Sequence, residues 1–169
     1  MNNTPVIRPI RGEEAAEAKH LIYAVACPLI EPQMSLEDAI AQWEAWGVMD
    51  DMDDIQKNYV EKGGVFLVTE EDGKIVGTGA LLYYAEGMCE LKRLYFLPEY
   101  QGRGLGYAMV QELIQQAQAM GYEKVCLWTT FEKQQRAVDF YHRLGFVDVH
   151  HDGAEDYQLW MEMKINASI

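Results

Sequence analysis

The chain has 169 residues, of which 49% are hydrophobic and 11% aromatic, which excludes a disordered chain and fits a single globular domain, 1–169. The formal net charge of −13 excludes nucleic acid as a partner, because an acidic surface without a concentrated basic patch repels phosphate. Apolar runs end short of the roughly 18 residues that a membrane-spanning helix needs, and the N-terminus lacks a secretion-signal pattern. We therefore expect a cytoplasmic protein with no membrane partner.

The first third of the chain has the pattern of one short strand followed by two helices. Residues 6–9 can form the strand, and the next segment repeats apolar residues at helical spacing until Pro28 and Pro32 interrupt it. Ser35 followed by Asp38 is typical of a helix N-terminus and predicts a second helix. An acidic stretch, residues 50–54, comes after it.

From residue 65 the pattern changes to strands. Residues 65–70 and 75–84 are β-rich runs joined through Asp72-Gly73, which predicts a hairpin, and residues 88–97 are a third strand candidate. The first three strands of this segment therefore form an antiparallel meander.

The last third of the chain alternates helices and strands. Apolar residues recur at helical spacing between Leu105 and Met120, and a second helix ends at Gly145. Residues 125–129 predict a buried strand between these helices, while 147–149 and 157–163 predict a final hairpin. This order predicts an α/β (α+β) fold with a mixed sheet.

A glycine-rich turn, residues 101–106, separates the meander from the following helix. Its three glycines stand at alternate positions, so backbone N–H groups can approach a bulky anion at the positive end of the helix. A dinucleotide fingerprint would need a third glycine where Tyr107 or Met109 stands, and the lysine of a P-loop is absent. The turn predicts a site for a pyrophosphate-bearing cofactor, with a plain helix-initiating turn as the alternative.

The turn resembles the Gln/Arg-x-x-Gly-x-Gly/Ala signature of the Gcn5-related N-acetyltransferases, the GNAT superfamily, with Gln101, Gly104 and Gly106 at its fixed positions. The resemblance extends to residues 91–98, which are similar to the family's fourth strand, and to residues 137–146, which are similar to its late helix. It implies a mostly antiparallel sheet with helices on both faces, splayed between strands 4 and 5. It also implies an enzyme that moves an acetyl group from acetyl-CoA directly to an amine-bearing acceptor.

The resemblance further implies where acetyl-CoA binds. The cofactor enters the gap between the splayed strands, its pantetheine pairs with strand backbone, and the amides of the turn take its pyrophosphate. Gln134 stands where the family often has an asparagine, so its contact with the cofactor is left open, and Arg103 either binds phosphate or lies in solvent. The implied cofactor-binding residues are Leu94, Tyr95, Phe96, Gln101, Gly102, Arg103, Gly104, Leu105, Gly106, Tyr107 and Gln134.

Two residues are the candidate catalytic groups. Glu90 occupies the strand position where some family members carry a general base, and partial burial between Cys89 and Leu91 is expected to raise its pKa. The alternatives are a strand-edge glutamate paired with a neighbouring cation, or proton removal by water alone. Tyr141 matches the family's tyrosine that protonates the leaving thiolate, with an ordinary core aromatic as the alternative.

Several other features leave alternatives open. Trp43, Trp46 and the acidic stretch 50–54 either shape the acceptor site or are a buried helix face and solvated aspartates. His150 and His151 are adjacent in a strand and lack the spacing of metal ligands, so no metal is expected. A CoA-binding sensor without transfer activity, an enzyme using succinyl-CoA, and a homodimer all remain compatible with the sequence.

Overall fold

The computed structural model describes residues 4–130 and 134–166, which form a mixed α/β fold around one seven-stranded sheet. The strands are ordered β1-β2-β3-β4-β5-β7-β6. They are β1 (Val6–Pro9), β2 (Val65–Glu71), β3 (Lys74–Ala85), β4 (Met88–Phe96), β5 (Lys124–Thr130), β6 (Val147–Asp148) and β7 (Gln158–Lys164). The helices are α1 (Ala15–Ile30), α2 (Leu36–Trp46), α3 (Ile55–Asn58), α4 (Leu105–Ala119) and α5 (Gln135–Leu144). Within the described ranges, no helix is long and apolar enough to cross a membrane.

Helix α1 runs further than the sequence predicts. Ala18, Ile22 and Ala26 are fully buried and mark one face of the helix at a spacing of four residues. The expected interruption at Pro28 is wrong, because Pro28 lies inside the helix, which continues to Ile30. A proline in the last turn removes one intrahelical hydrogen bond near an end, where the loss is easily accommodated.

Helix α2 begins at the residue that the sequence indicates. The Ser35 hydroxyl accepts a hydrogen bond from the Asp38 N–H at 3.1 Å, which satisfies one of the free donors of the first turn. Gly47 ends the helix in a left-handed conformation, φ +68°. The predicted N-cap is therefore confirmed.

Strands β2, β3 and β4 form the predicted antiparallel meander, with one irregularity that matters for the site. The β3–β4 register shifts between Thr78 and Ala80, because Thr78 pairs with Tyr95 while Ala80 pairs with Lys92. At this bulge Arg93 takes a left-handed φ of +57°, which is uncommon for a side chain other than glycine. The Thr78 hydroxyl donates a hydrogen bond to the Arg93 carbonyl oxygen at 2.7 Å and holds the bulge in place.

The sheet is split between its two central strands. Strands β4 and β5 are parallel and pair only at Met88–Lys124, Cys89–Val125 and Glu90–Cys126. Beyond Glu90, β4 stays paired with β3, while β5 stays paired with β7. A gap therefore opens between β4 and β5, as the splay prediction requires.

Helices cover both faces of the sheet and divide the core in two. One hydrophobic cluster packs under α1 and α2 and includes Ile22, Trp43 and Phe66. The other packs under α4 and α5 and includes Met109 and Leu127. The predicted fold class, a mostly antiparallel sheet with helices on both faces, is confirmed.

Candidate functional site

A cavity of about 740 Å³ occupies the gap between β4 and β5. Its walls come from β4 after Glu90, the loop that follows β4, the start of α4, the end of β5, and helices α1 and α5. The lining residues include Val25, Pro28, Leu29, Lys92, Arg93, Leu94, Tyr95, Phe96, Gln101, Gly102, Gly104, Gly106, Tyr107, Trp128, Gln134, Arg136, Phe140, Tyr141 and Arg143.

The cavity passes through the sheet from one face to the other. Val25, Pro28 and Leu29 belong to α1, which packs on one face, whereas Phe140 and Tyr141 belong to α5, which packs on the opposite face. Two molecules can therefore reach the same gap from opposite faces. This is the arrangement that a transfer between two substrates needs.

The glycine-rich turn presents a row of free backbone donors at one end of the cavity. Within the described ranges, the N–H groups of residues 102–107 have no hydrogen-bond acceptor in the protein. Gly102 and Gly104 have φ values of +75° and +79°, a conformation in which a side chain would be strained. The Gln101 amide fixes the turn to β4 by donating a hydrogen bond to the Phe96 carbonyl oxygen at 2.9 Å. Such a turn at the N-terminus of α4 favours a bound anion.

The cavity is cationic although the chain as a whole is acidic. Lys92, Arg93, Arg136 and Arg143 contribute to its lining, and no carboxylate does so in the part of the chain that the structure describes. Neither Arg136 nor Arg143 makes an ion pair with a described residue. Their charge is available to a ligand.

Arg93 is held by a network outside the cavity. Its guanidinium donates hydrogen bonds to the Asp51 carboxylate at 2.5 and 3.1 Å and to the Val48 carbonyl oxygen at 2.9 Å, while the Tyr59 hydroxyl also donates to Asp51. Burial opposes the charged form of Asp51, but the bonds from Arg93 outweigh it and lower the pKa of that carboxyl. The network fixes the bulge that turns β4 toward the gap.

Glu90 lies at the last paired position of β4, directly before the split. Its partner across the sheet is Cys126, and the cavity lining begins at the next residue, Leu91. Burial raises the pKa of Glu90, against the opposing charges of Lys92 and Arg93. Its carboxylate makes no ion pair or side-chain hydrogen bond within the described ranges, so the alternative of a glutamate paired with a neighbouring cation is not seen there.

Tyr141 lies in the cavity wall on the α5 face. Its ring contacts Phe140 and Phe146, with centroids 5.5 and 5.6 Å apart. Burial raises the pKa of its phenol, which keeps the group protonated and able to donate. The ring of Tyr141 forms part of the cavity wall. Its hydroxyl makes no hydrogen bond with a described residue, so within the described ranges this hydroxyl is free to bond a ligand.

The other sequence candidates divide between the cavity and its surroundings. Gln134 lines the cavity and accepts a hydrogen bond from the Thr129 hydroxyl at 2.8 Å. Leu105 is not a lining residue, and Arg103 is turned toward Glu71, with which it makes a bidentate pair at 2.7 and 3.3 Å. The lining candidates are Leu94, Tyr95, Phe96, Gln101, Gly102, Gly104, Gly106, Tyr107, Gln134 and Tyr141.

The tryptophans and aspartates of the α2 region lie away from the cavity. Trp43 is 5% exposed and belongs to the core, whereas Trp46 is 66% exposed, and neither lines the cavity. Asp51 serves the Arg93 network. For Trp43, the structure therefore agrees with the alternative of a buried helix face.

The sequence did not predict that Lys92, Arg136, Arg143 and Trp128 line the cavity. Lys92 and Trp128 lie near the split, and strand alternation could have placed them on the same face as Glu90. The contribution of α1 could not have been foreseen, because it depends on how the helix crosses the sheet.

The sequence and the fold have clear relatives. A profile of the acetyltransferase (GNAT) family matches residues 33–146. The chain is 34% identical over 119 residues to the uncharacterized N-acetyltransferase YjgM of Escherichia coli, a match that covers 68% of this chain and 70% of that protein. The chain also matches N-acetyltransferase 8 and N-acetyltransferase family 8 member 2 of Rattus norvegicus and N-acetyltransferase 8B of Homo sapiens. These matches span only about half of the length of those proteins.

Two solved structures show the same fold at low sequence identity. An acetyltransferase of the GNAT family from Staphylococcus aureus Mu50 superposes with a TM-score of 0.80 at 18% identity, covering 96% of this chain and 100% of that one. The PaiA N-acetyltransferase of Thermoplasma acidophilum, solved in complex with coenzyme A, gives 0.78 at 20% identity, covering 96% and 99%.

Proposed function

The chain belongs to the acetyltransferase (GNAT) family, and from that membership we propose that it transfers the acetyl group of acetyl-CoA directly to the amine of an acceptor. The proposal extends the family assignment to a reaction, a binding mode and named residues of this chain.

The charge of the cavity is the observation that carries the proposal. In a chain of net charge −13, a gap whose lining includes Arg136 and Arg143, which make no ion pair with a described residue, and no carboxylate of the described residues, suits a polyanionic ligand. The free N–H groups of residues 102–107 add donors at one end, where the pyrophosphate of CoA would bind. The complex of PaiA with coenzyme A supports this choice of ligand.

The pantetheine arm would lie along β4. Between Leu91 and Phe96 this strand has lost its neighbour β5, so its outward backbone groups are available to an extended ligand near Leu94, Tyr95 and Phe96. The arm would then run from the turn at residues 101–106 toward Glu90, which places the thioester near the last paired position of the split.

The transfer requires a base, a donor for the oxyanion and an acid. Glu90 takes the proton of the attacking amine through one water, because it lies just outside the cavity lining, and its raised pKa suits a base working near neutral pH. A new N–C bond forms as the C–S bond of the thioester breaks. Tyr141 protonates the departing thiolate, and backbone N–H groups of β4 stabilise the developing oxyanion.

Release of free thiol from acetyl-CoA tests the proposal. The protein is titrated with acetyl-CoA by calorimetry and then assayed for thiol release with a panel of amino acids, their amides, simple amines and spermidine. We expect binding together with amine-dependent thiol release. Tight binding with no release across the panel would contradict transfer and favour a CoA sensor, while failure to bind would contradict the site itself.

A further inference from the structure

The mouth of the cavity on the α1 face has an apolar wall. Val25, Pro28 and Leu29 of α1 lie on one side of it and Trp128 of β5 on the other, and Leu29 is 45% exposed. An acceptor that enters here would bury an apolar group between the helix and the indole ring.

The indole of Trp128 is held in place by other rings. Its centroid lies 4.7 Å from Trp160 and 4.7 Å from His151, and His151 in turn hydrogen-bonds the Tyr84 hydroxyl at 2.9 Å. The Trp160 N–H donates to Glu162 at 2.9 Å, which fixes the second indole. Trp128 therefore presents a preorganised surface to the cavity.

Lys92 places one unpaired positive charge at this mouth. Its strand partner Ala80 belongs to the core under α1, so Lys92 projects on the α1 face. Its ammonium makes no ion pair with a described residue, unlike the neighbouring Arg93, whose charge is matched by Asp51. A small anion is the natural partner for it.

Glu90 and Lys92 lie on the same face, two residues apart along β4. Their Cα atoms are therefore about 7 Å apart, and no ion pair joins the two side chains within the described ranges. One free carboxylate and one free ammonium at this spacing match a ligand that carries an ammonium beside a carboxylate. A polyamine has no carboxylate to pair with Lys92, and the positive charge of that lysine would repel it.

We propose that the acceptor is an α-amino acid with an apolar side chain, whose carboxylate pairs with Lys92 while its side chain packs against Trp128 and Leu29. The inference rests on the proposed function and narrows it to one substrate class. The ammonium first loses one proton to solvent, and the neutral amine gives a second proton to Glu90 as its nitrogen forms the amide bond to the acetyl carbon. The C–S bond of the thioester breaks, and the released CoA thiolate takes a proton from Tyr141, which regains one from solvent.

A comparison of amino acids with their own amides tests the inference. L-leucine, L-methionine and L-phenylalanine are each assayed against the C-terminal amide, with saturating acetyl-CoA and with L-serine and spermidine alongside. We expect kcat/KM for the apolar amino acids to exceed that for the amides by at least about tenfold, the value of one charge-assisted contact. The α-amine of the amide has a lower pKa than that of the free amino acid, so more of it is in the neutral, nucleophilic form near pH 7. This difference favours the amide and works against the expected preference.

Variants assign the preference to Lys92. Lys92→Gln is expected to raise KM for the amino acids roughly tenfold and to bring the acid-to-amide ratio near one, with kcat retained. A loss of cofactor affinity would lower both rates alike and leave the ratio unchanged. Lys74→Gln, at the exposed start of β3, is the matched control and should keep the wild-type ratio.

Each other outcome has a definite meaning. Amides or spermidine acetylated as well as or better than the amino acids would overturn the inference and leave the proposed function intact. A preference for succinyl-CoA that Lys92→Gln removes would also overturn it, because the lysine would then bind the donor. Acetylation of no amine in the panel, with acetyl-CoA bound, would overturn the proposed function itself.

Discussion

Glu90 is the residue whose protonation state most directly governs the proposed transfer. Burial raises its pKa from the ordinary glutamate value, and only the ionised carboxylate can accept a proton. We therefore expect kcat/KM to fall as the pH drops through this pKa, above the usual value of about 4.3. The pH profile of kcat/KM for a good acceptor measures this acid limb.

Substitution of Glu90 tests whether the fall of kcat/KM at low pH comes from Glu90 or from another titrating group. Glu90→Gln should lower kcat by about 100-fold or more, the typical contribution of a general base, and should remove the acid limb while acetyl-CoA still binds. Glu86→Gln, in the exposed turn between β3 and β4, is the matched control and should behave as wild type. An acid limb that persists unchanged in Glu90→Gln would assign the base elsewhere.

At the scale of elements, the bulge in β4 connects the region after α2 to the site. Asp51 holds the guanidinium of Arg93 at the bulge, and both side chains are largely withdrawn from solvent, so little water can replace a lost partner. The bulge in turn sets the direction in which Leu94, Tyr95 and Phe96 meet the cavity.

Breaking this pair should lower stability and weaken cofactor binding together. We expect Asp51→Asn to reduce the free energy of unfolding by about 3 kcal/mol at pH 7, since it leaves a buried guanidinium without its counter-charge, and to raise KM for acetyl-CoA. The measurement is urea unfolding followed across pH. Glu71→Gln, which breaks the pair with the more exposed Arg103, should lower the unfolding midpoint far less.

The pH dependence of this difference has a defined sign. The pKa of Asp51 is lowered in the folded protein, so the pair contributes its full stability above the pKa of an unfolded aspartate, about 3.9. That contribution is lost as the pH falls through the lower, folded value. The wild type and Asp51→Asn should therefore converge in acid, and a constant difference across pH would contradict the ion-pair explanation.

Most elements were predictable because their signals are local. The Ser35 cap, the Asp72-Gly73 hairpin and the helix after the glycine turn all follow from neighbouring residues, and the structure confirms them. The predicted interruption of α1 at Pro28 is wrong, because the effect of a proline on a helix depends on its distance from the helix end.

The candidate site was only partly predictable because half of it is assembled at long range. The glycine turn and Tyr141 carry a motif, and the structure places both at the cavity. No sequence motif marks Arg136, Arg143 or the α1 residues as part of the site, because their position depends on how helices cross the sheet. The salt bridge of Arg103 to Glu71 likewise requires a contact 32 residues away in sequence.

At the scale of the whole molecule, the charge is divided between an acidic exterior and a basic cavity. We expect the double variant Arg136→Gln with Arg143→Gln to weaken acetyl-CoA binding by about tenfold, because two cationic residues of the lining are lost. Calorimetry at several salt concentrations measures this loss, and the variant should also show a weaker salt dependence. Arg11→Gln, on the exposed N-terminal side, is the control, and equal losses in both would contradict a local effect.

Transfer in one step inside the split is tested most directly by initial velocities measured over a matrix of acetyl-CoA and acceptor concentrations. A cavity lined from both faces of the sheet would admit both substrates of the proposed transfer at once, so double-reciprocal lines should intersect and product should require a ternary complex. Parallel lines, the kinetic mark of an acetylated enzyme intermediate, would contradict direct transfer between two molecules bound in the gap between β4 and β5.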